Sequence, residues 1–298
     1  MTAVTGPGAA VSPWLPTAPC TPGRCAAHPG PAATTVGPAR AVVRLAAGLA
    51  TVVTGLLLAP LVALLPAAAR RAATRRWCRA VVRAFGVRLR VTGVPAAGPV
   101  LVVANHVSWL DIPLVAAVLP GRMLAKTEVR SWPVLGRLAA RGGTLFIDRD
   151  RLRALPGTVG AIGAVLAGGD RVIVFPEGST WCGRAAGAFR PAAFQAALDT
   201  GVGVQPVRLV YGPAAGPAAF VGDDPLVASL WRIATAGGLT AEVRILDPLP
   251  GGRYPDRRAL AAAAQRAIAS DSANRSFRSV HQRVSSSPAS ESSLRTPA

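Results

Sequence analysis

From about residue 87 to residue 269, short apolar runs alternate with segments of helical period, and this alternation is the tightest constraint on the fold. Strand candidates fall at 88–92, 100–104, 123–125, 144–147, 172–175, 204–210 and 241–246, with 100–104 an apolar, mostly β-branched run. Helical spacing falls between them, at 109–118, 131–140, 151–167, 190–199, 225–236 and 256–269. Strands and helices in alternation form an α/β layer architecture, in which helices cover the apolar faces of a sheet. The expected fold is therefore α/β, a mixed central sheet flanked by helices. No internal repeat interrupts it.

A different kind of sequence precedes this domain. Residues 1–40 are rich in Pro, Ala, Gly and Thr without periodicity, and a disordered tail is expected there. Residues 45–69 then carry no charged side chain. As a helix this stretch is about 37 Å long, enough for a bilayer core of about 30 Å. Pro60 and Pro66 predict a kink, or a shorter span ending near Ala59. A buried helix of a soluble protein is the alternative, and the length disfavours it. A cleaved signal peptide is disfavoured by the long polar leader.

Residues 70–90 place Arg70, Arg71, Arg75, Arg76, Arg79, Arg83, Arg88 and Arg90 with no acid among them. Trp77, Val81, Val82 and Phe85 recur at helical spacing. The pattern predicts an interfacial amphipathic helix lying against anionic headgroups, its arginines keeping this side cytoplasmic. A merely solvated basic face fits the same residues. The expected organisation is a tail at 1–40, a membrane-associated helical segment at 41–85, the α/β domain at 86–278, and a serine-rich disordered tail at 279–298.

Charge narrows the partners. The net charge is +19, from 33 basic and 14 acidic residues, which favours anionic phospholipid or nucleic acid. Only 5% of residues are aromatic and no recognition motif is present, so nucleic acid is disfavoured. Cys20, Cys25, Cys78 and Cys182 have neither metal-site nor disulfide-framework spacing; they suit a reducing compartment and imply no metal or cofactor.

Polar residues close several of the strand runs. After residues 100–104 come Asn105, His106, Ser108 and Asp111. Ser108-Trp-Leu-Asp111 has the form of a capping box, predicting a helix that starts at Ser108. His106 then sits in the strand-to-helix turn, within reach of Asp111, as a general base requires. A helix cap at Asp111 and a structural histidine at His106 fit this spacing too. Asp148-Arg149 ends another run and sets a guanidinium at a sheet edge, where open α/β folds bind ligands. Pro176, Glu177 and Gly178 end a third, read either as a tight turn or as a ligand-facing one. Lys126, the only lysine in the chain, closes a fourth.

Taken as an ordered set, these blocks resemble the PlsC-like glycerolipid acyltransferases, typified by 1-acylglycerol-3-phosphate acyltransferase. The set comprises Asn105-His106-x4-Asp111, Lys126 with Pro133 and Gly136, Gly143-x-x-Phe146-Ile147-x-Arg149, Phe175-Pro176-Glu177-Gly178 and Val204-x-Pro206-Val207. The resemblance implies that His106 deprotonates an acceptor hydroxyl, with Asp111 orienting it. It also implies that Arg149 clamps the acceptor phosphate, with Glu177, Gly178 and Lys126 lining the substrate pocket. The donor would be acyl-CoA or acyl-carrier protein, with no metal and no other cofactor. The acceptor would be a lysophospholipid, first 1-acyl-sn-glycerol-3-phosphate giving phosphatidic acid; a lyso-ornithine lipid or another lysolipid is the alternative. A non-catalytic basic membrane-binding protein is the alternative of another class. The implied location is the cytoplasmic face of the cell membrane. One departure bears on the headgroup: the third block usually continues Thr-Arg-Ser, whereas here it reads Ser179-Thr180-Trp181. Arg184 and Arg190 are the candidates for the missing cation.

Overall fold

The computed structural model describes residues 18–26, 34–132, 135–212 and 216–284. In chain order the elements are β1 (Thr34–Thr35), α1 (Pro38–Ala63), α2 (Ala67–Ala84), β2 (Arg88–Thr92), β3 (Leu101–Ala104), α3 (Asp111–Ala116), β4 (Arg122–Lys126), α4 (Leu135–Arg141) and β5 (Leu145–Ile147). They continue with α5 (Leu155–Ala167), β6 (Val172–Val174), α6 (Ala192–Thr200), β7 (Val204–Tyr211), α7 (Leu226–Thr235), β8 (Ala236–Gly237), β9 (Thr240–Ile245) and α8 (Arg257–Val284).

Seven strands form one sheet in the order β2-β9-β7-β3-β6-β4-β5, and each lies at an expected strand. β3, β4, β5, β6 and β7 run parallel, while β9 lies antiparallel to β7 and carries β2 parallel to itself. The sheet is therefore mixed, and the carboxyl ends of five strands share one edge. β3 is buried at every position, the expected fate of a strand covered on both faces. Its Leu101 and Val103 pack with Ile162 and Leu166 of α5, Phe194 of α6 and Leu260 of α8. Its Val102 and Ala104 face the other way, with Val81 and Val82 of α2, Leu114 of α3 and Ile233 of α7. A fully buried leucine such as Leu101 contributes about 1.5–3 kcal/mol.

The N-terminal region differs from the expectation in three respects. First, α1 runs through Pro60 to Ala63, and the break falls at Leu64–Pro66 instead. Pro60 sits in the last turn, where the missing N–H and the ring clash disturb little helix. Second, α2 folds back antiparallel along α1. Trp77 Nε1 donates to the Thr51 carbonyl at 2.9 Å, and a Cβ at Gly48 or Gly55 would lie 2.6 Å from Phe85 or 2.3 Å from Trp77. The two glycines are notches that seat the aromatic rings. Arg44 ties the start of α1 to the domain through the carbonyls of Ala234 and Ala236, at 2.9 and 2.8 Å. The rest of α1 is largely exposed, including Leu49, Leu57, Leu58 and Leu61, and it is long and apolar enough to cross a membrane. Third, part of the expected tail at 1–40 is packed: Cys20 is buried in the core, and β1 pairs with β8. The remainder of that tail, 1–17 and 27–33, lies outside the described residues.

At the far end, α8 continues past the boundary expected at Ser279, to Val284. Residues 285–298 lie outside the described residues, as does Pro133.

Candidate active site

β3 is the central support of the site. Beyond Ala104 its ladder is continued by a side chain: Asn105 donates from Nδ2 to the Leu209 carbonyl at 3.0 Å, and its Oδ1 accepts from Leu209 N–H at 2.8 Å. The backbone is thereby free to turn, and His106 emerges at the carboxyl edge of the sheet. Its Nδ1 lies 2.8 Å from Asp111 Oδ2. Against a carboxylate, Nδ1 carries the proton, which leaves Nε2 as the basic nitrogen. Nε2 makes no hydrogen bond among the described residues. The imidazole stacks on Phe175 at 4.2 Å between ring centres and is 18% exposed, whereas Asp111 is wholly buried.

The capping box forms only in part. The helix starts at Asp111 rather than Ser108, with Leu110 before it already in helical conformation. Ser108 Oγ accepts from Leu110 N–H at 3.3 Å. The acidic half of the motif is present in a stronger form: Asp111 Oδ2 accepts from Val107 N–H at 2.6 Å and Ser108 N–H at 2.8 Å, besides facing His106. The carboxylate winds the turn around itself, so its charge is stabilised by the same groups that set the turn. Tyr211, at the end of β7, donates its hydroxyl to Asp111 Oδ1 at 2.5 Å. Burial first, and then the Asp111 charge, hold the Tyr211 hydroxyl well above its usual pKa, so it stays a donor. Sequence reasoning missed Tyr211; its only trace is an apolar row, Val207, Leu209 and Tyr211, on one face of β7.

Glu177 closes the other side. Its Oε2 accepts from His106 N–H at 2.9 Å and its Oε1 from Gly187 N–H at 3.3 Å. Burial raises this carboxyl to about 7, against the lowering effect of those two N–H groups. Glu177 thus fixes the backbone of His106. Gly178, at φ 76°, completes the turn by returning its N–H to the Phe175 carbonyl at 3.1 Å, a conformation glycine adopts without strain. Trp181 follows; its N–H donates to the His106 carbonyl at 2.7 Å, and its indole lies over Gly187. Trp181 Nε1 and Ser179 Oγ are buried without a hydrogen-bond partner among the described residues.

Lys126 and Arg149 sit farther along the same edge. Lys126 ends β4 and Arg149 follows β5, two and three strands from β3, or about 10 and 14 Å at ordinary strand spacing. Burial lowers the Arg149 pKa and the Glu128 carboxylate opposes that shift. Of the two candidates for the missing cation, Arg190 is exposed, with its N–H on the Pro176 carbonyl. Arg184 is turned to the N-terminal segment, where Nη2 donates to the Arg24 carbonyl at 3.1 Å. That segment also brings Cys20 and Cys25 to Cys182, a gathering that the sequence spacing gave no sign of.

Residues 88–210 match the family model described as Acyltransferase. The chain is 38% identical over 206 residues to a lyso-ornithine lipid O-acyltransferase of Pseudomonas aeruginosa, spanning 67% of this chain and 78% of that one. It is 38% identical over 188 residues to a 1-acyl-sn-glycerol-3-phosphate acyltransferase of Neisseria meningitidis serogroup B, spanning 61% and 73%. Among solved structures the fold is similar to the 1-acyl-sn-glycerophosphate acyltransferase PlsC of Thermotoga maritima, with a TM-score of 0.56 at 20% identity, covering 76% of this chain and 94% of that one.

Proposed function

This chain belongs to the PlsC-like glycerolipid acyltransferases, and from that premise we propose that it moves a fatty acyl group from a thioester to the free hydroxyl of a lysolipid. The observation that carries the mechanism is the 2.8 Å contact of His106 with a wholly buried Asp111. His106 Nε2 takes the proton of the acceptor hydroxyl as its oxygen attacks the thioester carbonyl. Asp111 holds the tautomer and balances the imidazolium charge. The tetrahedral intermediate collapses to the ester, and the sulfur leaves with the proton that Nε2 returns. Acyl-CoA or acyl-carrier protein is the co-substrate, and no further cofactor enters these steps. Thioester-dependent acylation of a lysolipid by the purified protein tests the reading; a folded protein that binds lipid without turnover would be the non-catalytic membrane binder instead.

The acceptor we assign first is 1-acyl-sn-glycerol-3-phosphate. Arg149 and Lys126 support it, as cations on the same edge as His106. A second reading has its own observation: Thr180 stands where the family carries a cation, and Arg184 is engaged elsewhere. A zwitterionic lyso-ornithine lipid needs less positive charge in that place. Competition between the two lysolipids in one assay decides the acceptor, and preference for the ornithine lipid replaces the first assignment.

The hairpin supports a particular membrane seat. Because α2 lies along α1, a crossing α1 would drag Arg70, Arg71, Arg75 and Arg76 into hydrocarbon, at about 2.5–3.5 kcal/mol each. A shallow seat on the cytoplasmic face, with α1 leucines in the acyl region and α2 arginines at the headgroups, costs none of that. Vesicle sedimentation tests it. Binding to anionic vesicles should weaken with salt and with Arg75→Glu and Arg76→Glu; equal binding to neutral vesicles at high salt would point to a full crossing.

A further inference from the structure

The three cysteines gathered beside the site come from two distant stretches: Cys20 and Cys25 from the N-terminal segment, Cys182 from the loop after β6. Every pair of their sulfurs lies within 4.8 Å. Cys20 and Cys182 are buried and Cys25 is half-buried. All three thiols are free, whereas Cys78 lies apart, buried near Ala116 and Ala117. Cys182 stands out chemically. Burial pushes its thiol up, but hydrogen bonds from the backbone of Arg184 and Ala185, together with those of the Cys20 and Arg184 side chains, bring it to about 7, while burial pushes the neighbouring Cys20 thiol up to about 11. The Arg184 guanidinium interacts with both Cys182 and Cys25. A guanidinium beside two of the three gathered sulfurs is a surrounding that an apolar packing site for cysteine would not supply.

We propose that Cys20, Cys25 and Cys182 form a binding site for a thiophilic divalent cation such as Zn2+. Three thiolates at about 2.3 Å from the ion stand about 3.8 Å apart in tetrahedral geometry, so the sulfurs need to close by no more than about 1 Å. Three protein ligands leave a fourth position for water or a small thiol. Binding is redox-neutral: each thiol still protonated gives its proton to solvent, and the excess negative charge of three thiolates falls beside Arg184. The ion has a structural consequence. Trp181, next to Cys182, holds the His106 carbonyl, so a metal at the cysteines fastens the N-terminal segment to the loop that braces the base. It does not touch the reacting atoms.

The test uses the full-length chain, reduced and in detergent, titrated with Co2+ as a spectroscopic probe and assayed for bound Zn2+. The expected result is about one ion per chain, with an intense near-ultraviolet thiolate-to-cobalt band. Cys182→Ser should abolish the band and Cys78→Ser should leave it intact. Cys25→Ser, at the half-buried position, guards against misfolding and should weaken Co2+ binding by about tenfold or more. Absence of the band in the wild-type chain overturns the proposal. So does an unchanged band in a folded Cys25→Ser or Cys182→Ser protein, or a native disulfide between two of the three thiols.

Discussion

One edge of the sheet carries two kinds of site. At the ends of β3, β6 and β7, His106, Asp111, Glu177 and Tyr211 satisfy one another, with four contacts converging on the Asp111 carboxylate alone. At the ends of β4 and β5, the Lys126 ammonium makes no hydrogen bond among the described residues, and Glu128 is the charge that acts on Arg149 from a distance. The first end is complete within the protein; at the second, in the function proposed above, the partner comes from the substrate. Groups that must have one geometry at the moment of reaction belong in the first kind of surrounding, and groups that must recognise a charged ligand belong in the second.

The largest effect expected from this contrast is in turnover. His106→Ala should lower kcat by about 10²–10⁴ while circular dichroism and the unfolding midpoint stay near wild type. Near-normal turnover would break the assignment of the first end. Arg149→Ala comes next. It should raise the acceptor KM by roughly 10- to 150-fold, the equivalent of about 1.5–3 kcal/mol, and leave the donor KM unchanged; Arg149→Lys should restore only part. A fall in kcat alone would place Arg149 in the chemistry and erase the contrast. Tyr211→Phe removes a single donor to Asp111 and should cost about tenfold in kcat, with little change in either KM. A KM effect would tie Tyr211 to recognition instead.

The smallest effect on turnover is expected at Glu177 and is best read through pH. Its carboxyl titrates at about 7 in the fold against an ordinary value of 4.5. Between those values the folded chain keeps a proton that the unfolded chain releases. The stability it contributes is complete below about pH 4.5 and is lost as pH rises through 7. Glu177→Gln should flatten that decline in urea unfolding; an unaltered slope would mean that another group carries it.

Much of this was legible in the sequence, for physical reasons. β3 and β6 were legible as continuous apolar runs because a strand buried on both faces has no other composition available to it. His106 and Asp111 were legible because five residues of turn are enough to bring them together. Tyr211 is 100 residues from Asp111 and meets it only through the pairing of β3 with β7. The cysteines span a similar gulf, across a segment whose composition suggested no packing. The start of α3 was misplaced because the Asp111 side chain reaches back to Val107 and Ser108, and these bonds occupy the turn that a helix would have used.

The position of β3 also decides how the protein opens. β3 is hydrogen-bonded on both sides, to β6 and β7, whereas β5 is an edge strand paired only with β4. Amide protons in a doubly paired, fully buried strand exchange with solvent through global unfolding, while those of an edge strand escape through smaller, local openings. The amides of Val102 and Val103 should then be among the last to take up deuterium, and those of Phe146 and Ile147 among the earlier ones. The strand that precedes His106 is thus built into the slowest-opening part of the molecule, and the strand that precedes Arg149 can breathe without disturbing it.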